Sequence, residues 1–564
     1  MSLFLHLVRQ RTDHVVSVFV GFITFGFLAG PALINPSFTT WLRWGDAAQH
    51  YYGWEFFRKS PLLQFPLGNS PQFGVGYSSS VVYTDSIPLL AIPLKYLTSW
   101  WDGDFQYFGA WLLGCFILQH FVACRILRRL GMSARDARVG ALFFVVAPVF
   151  LHRQTILGYG HMALAGHFLL LIGILLVLDN SAFQRRWVVL LVVSLLVQFY
   201  LFVMIFVLWL SSIIVQTPRR ATSLTKIGLR VATTCSLLVG VGWIVGYFSS
   251  GSSVEEGFGI FRADLATFID PQTISATSWS RVLPDQPVVP KNVNGSFEGF
   301  AFLGLGILLA LFVGLIGWAA SRSRREPKRN LPQGSLRLVL PPALACFVFA
   351  LSNRITFRVE RVVLPLPEPF ETLGNTLRAS GRFVWPLAYV VMSYAIVLAA
   401  RVVSKRRLGV ILLASLAIVQ VIDSREALVE HRERFTEFSY PKSVFRSLEW
   451  KELAESKRVL IADPPPYKGD VWQDFSEFAL QNGLATNSGY LSRVDYVKLY
   501  ESEVAVRNSL LSNRLQRDAL YVVTRASGAY ATIRSQLGGF DGELAPGVRA
   551  KFLDGMIAVT SDIP

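Results

Sequence analysis

Asp46 stands in the stretch WGDAAQHYYGW (Trp44–Trp54). On a helix, Asp46, Gln49, His50 and Gly53 share one face through their i, i+3, i+4 and i+7 spacing. The aromatic residues Trp44, Tyr51, Tyr52, Trp54, Phe56 and Phe57 surround them. A carboxylate in such a place can take a proton from a hydroxyl nucleophile, with Gln49, His50 and Trp44 as candidate substrate contacts. The same stretch also fits an interfacial helix, with its rings at headgroup level and its polar face in water. Asp85, in VVYTDSIPLL, is a second candidate catalytic carboxylate. Its alternative role is to cap the helix that begins at Ile87-Pro88, and the two roles are compatible.

Other residues with chemistry lie further along. His161, in GYGH, and His167 are six residues apart, which does not match the one-turn spacing of helical zinc pairs and excludes a hydrolytic zinc site of that kind. His161 is the better site candidate, and His167 reads as a buried, hydrogen-bonded residue. Glu298, in FEGFAFLGLG, is either a first-turn acid or a substrate contact. Arg378 and Arg382, in RASGRFVWPL, fall on one helical face by i, i+4 spacing. Guanidinium forks bind phosphate oxygens in pairs, so both are candidate phosphate ligands. Their alternatives are lipid headgroups or an ion pair with Glu368 or Glu371. Asp46, Asp85 and Glu298 would also serve as ligands for a divalent ion (Mg or Mn) if one is used, because carboxylates act equally as bases and as ligands.

These residues need a scaffold. The chain has 564 residues, 52% hydrophobic and 16% charged, and its apolar residues come in long runs. That composition describes a polytopic α-helical membrane protein. No cleavable signal peptide is evident. The four cysteines lie in apolar runs without a CxxC pair, so they read as buried or lipid-facing residues. The net charge of +16 does not indicate a nucleic-acid partner, because the basic residues cluster in short loops between apolar runs. Those loops, among them RILRRLGMSARDAR, TPRRATSLTKIGLR and SRSRREPKRN, belong on the cytoplasmic side.

Threading the runs between them gives about eleven transmembrane helices, with the N-terminus inside and the C-terminus outside. The expected crossings are 14–34, 105–127, 138–151, 162–180, two short helices from 188–216 split near Phe199–Leu201, 228–248, 298–320, 336–352, 383–402 and 410–422. The proline-interrupted run 87–97 is a half-buried or re-entrant helix. On this path the first loop (35–104), the loops near 151–161, 249–297 and 353–382, and the whole tail share the outer face. Residues 1–423 then form a transmembrane domain and 424–564 a soluble extracytoplasmic α/β domain. Within the tail, RVLIAD, ALYVVT and GMIAVT read as strands, and VWQDFSEFALQNG as a helix stopped at Gly483.

WGDAAQHYYGWEFFR…FPLG, YTDSIPLLAIPLK, FEGFAFLGLG and RASGRFVWPL together resemble a bacterial branch of the GT-C superfamily, along most of the membrane region. These are integral-membrane glycosyltransferases that use polyprenyl-phosphate sugars and keep an acidic residue early in the first outer loop. SWWDGD (Ser99–Asp104) is not the WWD-type motif of oligosaccharyltransferases, and no paired DD is present, so en bloc transfer to asparagine is not implied. The resemblance implies an inner-membrane (plasma-membrane) enzyme with a periplasmic tail, a polyprenyl-phosphate sugar donor, a glycan or glycolipid acceptor, and lipids around it. Its reaction would be a single inverting displacement with Asp46 as base, worth ~10²–10⁴-fold. Arg378, Arg382 and His161 would hold the donor phosphate, and Asp85 and Glu298 would orient sugar hydroxyls. The competing classes are a transporter or flippase for a lipid-linked glycan, and a non-catalytic scaffold of envelope polysaccharide assembly. A transporter of the common kind would carry repeated halves and mid-membrane ionisable residues, neither of which is evident.

Overall fold

A computed structural model describes residues 2–77, 79–155, 160–180, 185–216, 223–249, 257–272, 277–285, 296–323, 333–403, 406–438, 442–467 and 471–562. In chain order the helices up to the tail are α1 (Ser2–Leu28), α2 (Gly45–Lys59), α3 (Pro88–Leu97), α4 (Phe108–Arg129), α5 (Ala134–Val145), α6 (Pro148–Thr155), α7 (Phe168–Leu178), α8 (Arg185–Val197), α9 (Phe199–Gln216), α10 (Leu224–Val245), α11 (Leu305–Ser323), α12 (Gln333–Leu351), α13 (Glu368–Thr376), α14 (Trp385–Val402), α15 (Arg406–Asp423) and α16 (Arg425–Thr436). A hairpin of β1 (Arg354–Phe357) and β2 (Glu360–Val363) lies between α12 and α13.

Every apolar run expected to cross a membrane contains a helix. The run 188–216 breaks at Gln198, whose side-chain carbonyl accepts from the Tyr200 backbone N–H at 2.6 Å and so caps α9. The crossing count differs from the expected eleven. Among the described residues three helices are long and apolar enough to cross a membrane: Phe108–Arg129, Leu224–Val245 and Ser380–Val402. A fourth span is counted if α15 and α16, bent by 64° at their junction, are one broken span. Other apolar helices, such as Phe199–Val215 and Leu305–Ala320, are shorter. Mean apolarity of a run locates a helix, but it does not fix how long that helix stays regular.

The chain forms two compact units that do not divide at residue 423. Unit 1 comprises residues 1–38, 106–238 and 254–437, and unit 2 comprises 39–105, 239–253 and 438–564. The tail thus shares a unit with the first loop, while α16 stays with the helices. Long-range backbone pairing, described below for unit 2, is the physical reason.

Unit 1 is a helical bundle with polar groups inside it. Asp13, on α1, is buried and paired with Arg128 and Arg138. His167, at the start of α7, shares a hydrogen bond with the Tyr389 hydroxyl at 2.6 Å, and Gln119 donates to the same hydroxyl at 3.0 Å. His167 is therefore the buried, hydrogen-bonded histidine expected of it.

Unit 2 carries the tail. Its elements are α17 (Glu449–Ala454), β3 (Val459–Asp463), α18 (Trp472–Gln481), β4 (Ala485–Thr486), α19 (Tyr496–Leu511), β5 (Ala519–Val523), α20 (Gly528–Gln536), β6 (Gly542–Ala545), β7 (Val548–Leu553) and β8 (Met556–Ser561). The sheet order is β4-β3-β5-β8-β7-β6. The first three strands run parallel and the rest pair antiparallel. The three expected strands are β3, β5 and β8, and Gly483 closes α18 at φ 68°. The exposed edge of β4 is covered by the first loop: Thr486 N–H donates to Gln72 O and Gly74 N–H to Thr486 O, each at 2.9 Å. Tyr77 adds its hydroxyl, donated to the carbonyls of Asn487 (3.1 Å) and Gly489 (3.3 Å).

Candidate functional site

The two aspartates lie in unit 2. The stretch from Gly45 to Lys59 is helical as expected, and Asp46 stands in the first turn of α2, half-buried. A carboxylate there is favoured by the partial positive charge of the helix N-terminus. Gln49 and His50, one turn on, are buried and reach sideways. The Gln49 amide donates to Tyr83 O at 3.0 Å, and His50 Nδ1 lies 2.9 Å from Thr84 O. Ser86 returns a hydrogen bond from its hydroxyl to His50 O at 2.8 Å. Asp85 sits between those partners, half-buried, with φ 53° in the left-handed region. It is not the capping residue, because α3 starts three residues later, with Ile87 at the capping position and no side-chain cap. Asp46 and Asp85 therefore stand on two segments that three hydrogen bonds tie together.

Gln49 and His50 consequently act as braces through these groups, rather than offering them to a substrate. Trp44 takes the N-cap position of α2. The other half of α2 is pinned through a buried pair. Arg58 donates to Glu55 Oε1 at 3.1 Å and Oε2 at 2.8 Å, and also to the carbonyls of Trp101 (2.6 Å) and Gly103 (2.7 Å). The SWWDGD stretch thus serves as a set of acceptors for Arg58.

Gly53 is where α2 passes Thr84. A methyl group added there would overlap the Thr84 side chain. We expect Gly53→Ala to push α2 off the Tyr83–Ser86 turn, at an overpacking cost of about 1–3 kcal/mol. A lower unfolding temperature for Gly53→Ala would show this, and an unchanged one would mean that the turn yields freely.

Unit 1 holds a second constellation. Glu298 lies in a short 3-10 turn (Ser296–Gly299) and accepts from two arginines. Arg382 donates through Nε to Oε2 at 2.8 Å and through a terminal nitrogen to Oε1 at 2.7 Å. Arg153, on α6, donates to Oε2 at 2.6 Å and to the Glu298 backbone carbonyl at 2.7 Å. Arg153 is only 1% exposed, and its guanidinium lies 5.2 Å from the Trp385 ring centroid. That of Arg382 lies 4.5 Å from the Tyr200 ring. Burial alone would raise the Glu298 carboxyl, but Arg153 and then Arg382 outweigh it and hold the group well below the usual carboxylate range. His152, next to Arg153, is kept neutral by burial and then by the Arg153 charge.

Glycines let this triad close. Gly381, beside Arg382, packs on Gly299, beside Glu298. A Cβ on Gly381 would lie 2.7 Å from the Gly299 Cα. Gly381 N–H also donates to Phe261 O at 2.8 Å. The neighbouring pairs Glu-Gly and Gly-Arg were present in the sequence, but nothing local links them.

Several expectations change here. Arg378 and Arg382 do not share a helical face, since Arg378 lies in a non-helical link, Arg382 in a 3-10 turn (Ser380–Val384), and α14 begins only at Trp385. The ion pair of Arg382 is with Glu298, far away in sequence, and not with Glu368 or Glu371. Both Glu298 carboxylate oxygens accept from arginines. Among the described residues no cluster of three or more His, Cys, Asp or Glu able to hold a metal is found. His161 is buried, its backbone N–H donating to Arg153 O at 2.8 Å. Arg153 itself was missed. Its signal was a lone arginine in LHRQ, between apolar runs.

A family model described as "Domain of unknown function (DUF6311)" matches residues 18–425, and one described as "DUF6311 C-terminal domain" matches 449–545. No curated protein matches. Among solved structures, the Archaeoglobus fulgidus oligosaccharyltransferase in its apo form is similar over 84% of this chain and 64% of its own, at 13% identity and TM-score 0.35. The present chain thus spans a little under two-thirds of that protein. The oligosaccharyltransferase AglB from the same organism, in complex with an inhibitory peptide and a dolichol-phosphate, is similar over 100% of this chain and 75% of its own, at 11% identity and TM-score 0.39.

Proposed function

We propose that this chain, which belongs to the DUF6311 family, is a membrane glycosyltransferase. It moves a sugar from a polyprenyl-phosphate donor to a glycan or glycolipid acceptor of the cell envelope, on the outer face of the membrane. The observation that carries the reading is the braced pair Asp46 and Asp85, on segments joined by Gln49, His50 and Ser86. A base that must meet a substrate hydroxyl works best when its backbone cannot drift, and two buried side-chain braces within one turn of Asp46 supply that rigidity.

The step is a single displacement. The acceptor oxygen forms a bond to the sugar's anomeric carbon, and its proton passes to Asp46. The bond from that carbon to the donor phosphate breaks, and the phosphate leaves with the electron pair. Asp85 orients sugar hydroxyls. As a separate proposal, Arg378, in unit 1, is a phosphate ligand by the chemistry of its guanidinium fork. Arg382 and Arg153, held by Glu298, leave one net positive charge in their triad, which favours an anion nearby.

Two measurements test this. With reconstituted protein and radiolabelled polyprenyl-phosphate sugars, label should move to a lipid-linked or polymeric acceptor. Label that crosses the bilayer in its original linkage would make the protein a transporter, and an untouched donor would end the reading. Arg378→Ala should raise the KM for donor by about 10–100-fold, the worth of a hydrogen bond to a charged group. Arg378→Lys should recover only part of that, because the fork is lost. Unchanged donor kinetics in both variants would end the assignment of Arg378 to the phosphate.

A further inference from the structure

We propose that residues 354–373 of unit 1 (the β1–β2 hairpin, the Leu364–Pro367 link and the first turns of α13) lie in the boundary between lipid headgroups and acyl chains. They form a lip embedded in one leaflet. This inference does not depend on the glycosyltransferase reading.

The segment is exposed in a way that water does not explain. Phe357 is 50% exposed, Val362 58%, Phe370 62% and Leu373 66%. Val359, Val363, Leu364 and Leu366 are also exposed. A run of this kind is far more apolar than an ordinary loop surface and needs a cover. The exposure does not come from fraying. Thr356 O accepts from Leu265 N–H at 2.9 Å, Arg358 N–H donates to Asp264 Oδ2 at 3.1 Å, and Leu364 N–H donates to Asn353 O at 2.8 Å. At the other end Asn375 Oδ1 accepts from the N–H groups of Gly257 (3.2 Å) and Phe258 (3.0 Å).

The local patterns agree. Register pairs Ile355 with Val362 and Phe357 with Glu360 on one face of the hairpin, and Arg354 with Val363 and Thr356 with Arg361 on the other. One face is therefore largely apolar, and the other carries two arginines beside a threonine and a valine. On α13, Gly374 packs on the Phe258 ring, where a Cβ would lie 2.7 Å from its carbons. Phe370 and Leu373, one turn apart, form a stripe that unit 1 does not bury.

Two features select a bilayer over a soluble partner. First, the segment hangs between the apolar helix α12, which ends at Leu351, and the span Ser380–Val402. The span thereby holds the C-terminal end of the segment at one membrane face. Second, its charges balance: Arg354, Arg358 and Arg361 against Glu360, Glu368 and Glu371. It offers no net field to a charged protein, while long arginine stems suit the interface, where they snorkel to the headgroups.

The test places a fluorophore on Val362→Cys or Leu373→Cys, with Thr372→Cys as control. The background is the full chain with its four native cysteines replaced, reconstituted in phosphatidylcholine nanodiscs. Labels at 362 and 373 should lose about half of their emission to lipids carrying a nitroxide near the headgroup and little to aqueous iodide, as interfacial side chains do. The label at 372 should respond to iodide. Iodide quenching at 362 and 373 without lipid quenching would overturn the proposal in favour of a soluble partner. Quenching by neither would overturn it in favour of cover by protein. If the cysteine-free chain does not fold, hydrogen exchange on the native chain decides: residues 360–373 should exchange about tenfold more slowly in nanodiscs than in a detergent that keeps the bundle intact. Equal rates would refute it.

Discussion

Asp46→Asn protein should insert and bind donor like the native chain and turn over ~10²-fold or more slowly. The substitution keeps size and most hydrogen bonding, but the amide cannot accept the acceptor's proton. Its structural cost should be small. The residue is half-buried in the first turn of α2, where the loss of a charge–dipole term is worth about 0.3–1 kcal/mol. Gln49 and His50, which hold the turn at Tyr83–Ser86, are untouched. The measurement is transfer of radiolabelled sugar under single-turnover conditions, with donor binding measured in parallel. Near-normal turnover with normal binding would move the base to Asp85, which stands on the segment braced to α2. If Asp85→Asn were equally active, the reaction would not use this pair at all.

Glu298→Ala should strongly destabilise unit 1. It strips the common acceptor from Arg153 and Arg382, leaving buried guanidiniums without their counter-ion. Breaking a buried pair in this way costs about 3–5 kcal/mol. Glu298→Gln should cost less, since one carbonyl oxygen remains to accept. The pH dependence has a definite sign. The folded carboxyl titrates below its unfolded value, so its contribution is full above the unfolded value, ~4.3, and is lost as the pH falls through the depressed folded value. The gap in unfolding temperature between native and Glu298→Gln protein should therefore persist from neutral pH to about 5 and narrow only below the ordinary carboxylate range. A gap that closes already at pH 6 would mean that the triad is not intact in the membrane.

What the sequence disclosed was local. Apolar runs marked the helices, the break near residue 198 included, and alternating or continuous β-branched runs marked β3, β5 and β8. Gly483 marked the end of α18. What escaped was pairing over long distances. Arg382 looked for a partner among nearby glutamates and finds it at Glu298, because two glycines let the chain segments meet backbone to backbone. The exposed β1–β2 hairpin escaped because RITFRVERVV sits in a stretch where membrane periodicity dominates the reading. The short β4 escaped because two residues carry no period, and what marks it as a strand is its pairing with β3 and with Gln72–Gly74. Asp46 and Asp85 were legible as candidates through type and setting. Their braces were legible only as candidate ligands, since Gln and His have the same donors for either task.

The way the first loop covers the edge of β4 has a consequence for how the protein is made. Residues 39–105 leave the ribosome roughly 330 residues before residue 438, which at about 5–20 residues per second is an interval of roughly 15–70 s. Throughout that time Gln72–Gly74 and the ring of Phe73, fully buried in the finished fold, have no sheet to join. The nascent chain must carry an unfinished half-domain until the last quarter of the polypeptide arrives. A chain cut short before β3 would release its first loop with aromatic residues uncovered, a ready signal for quality-control proteolysis.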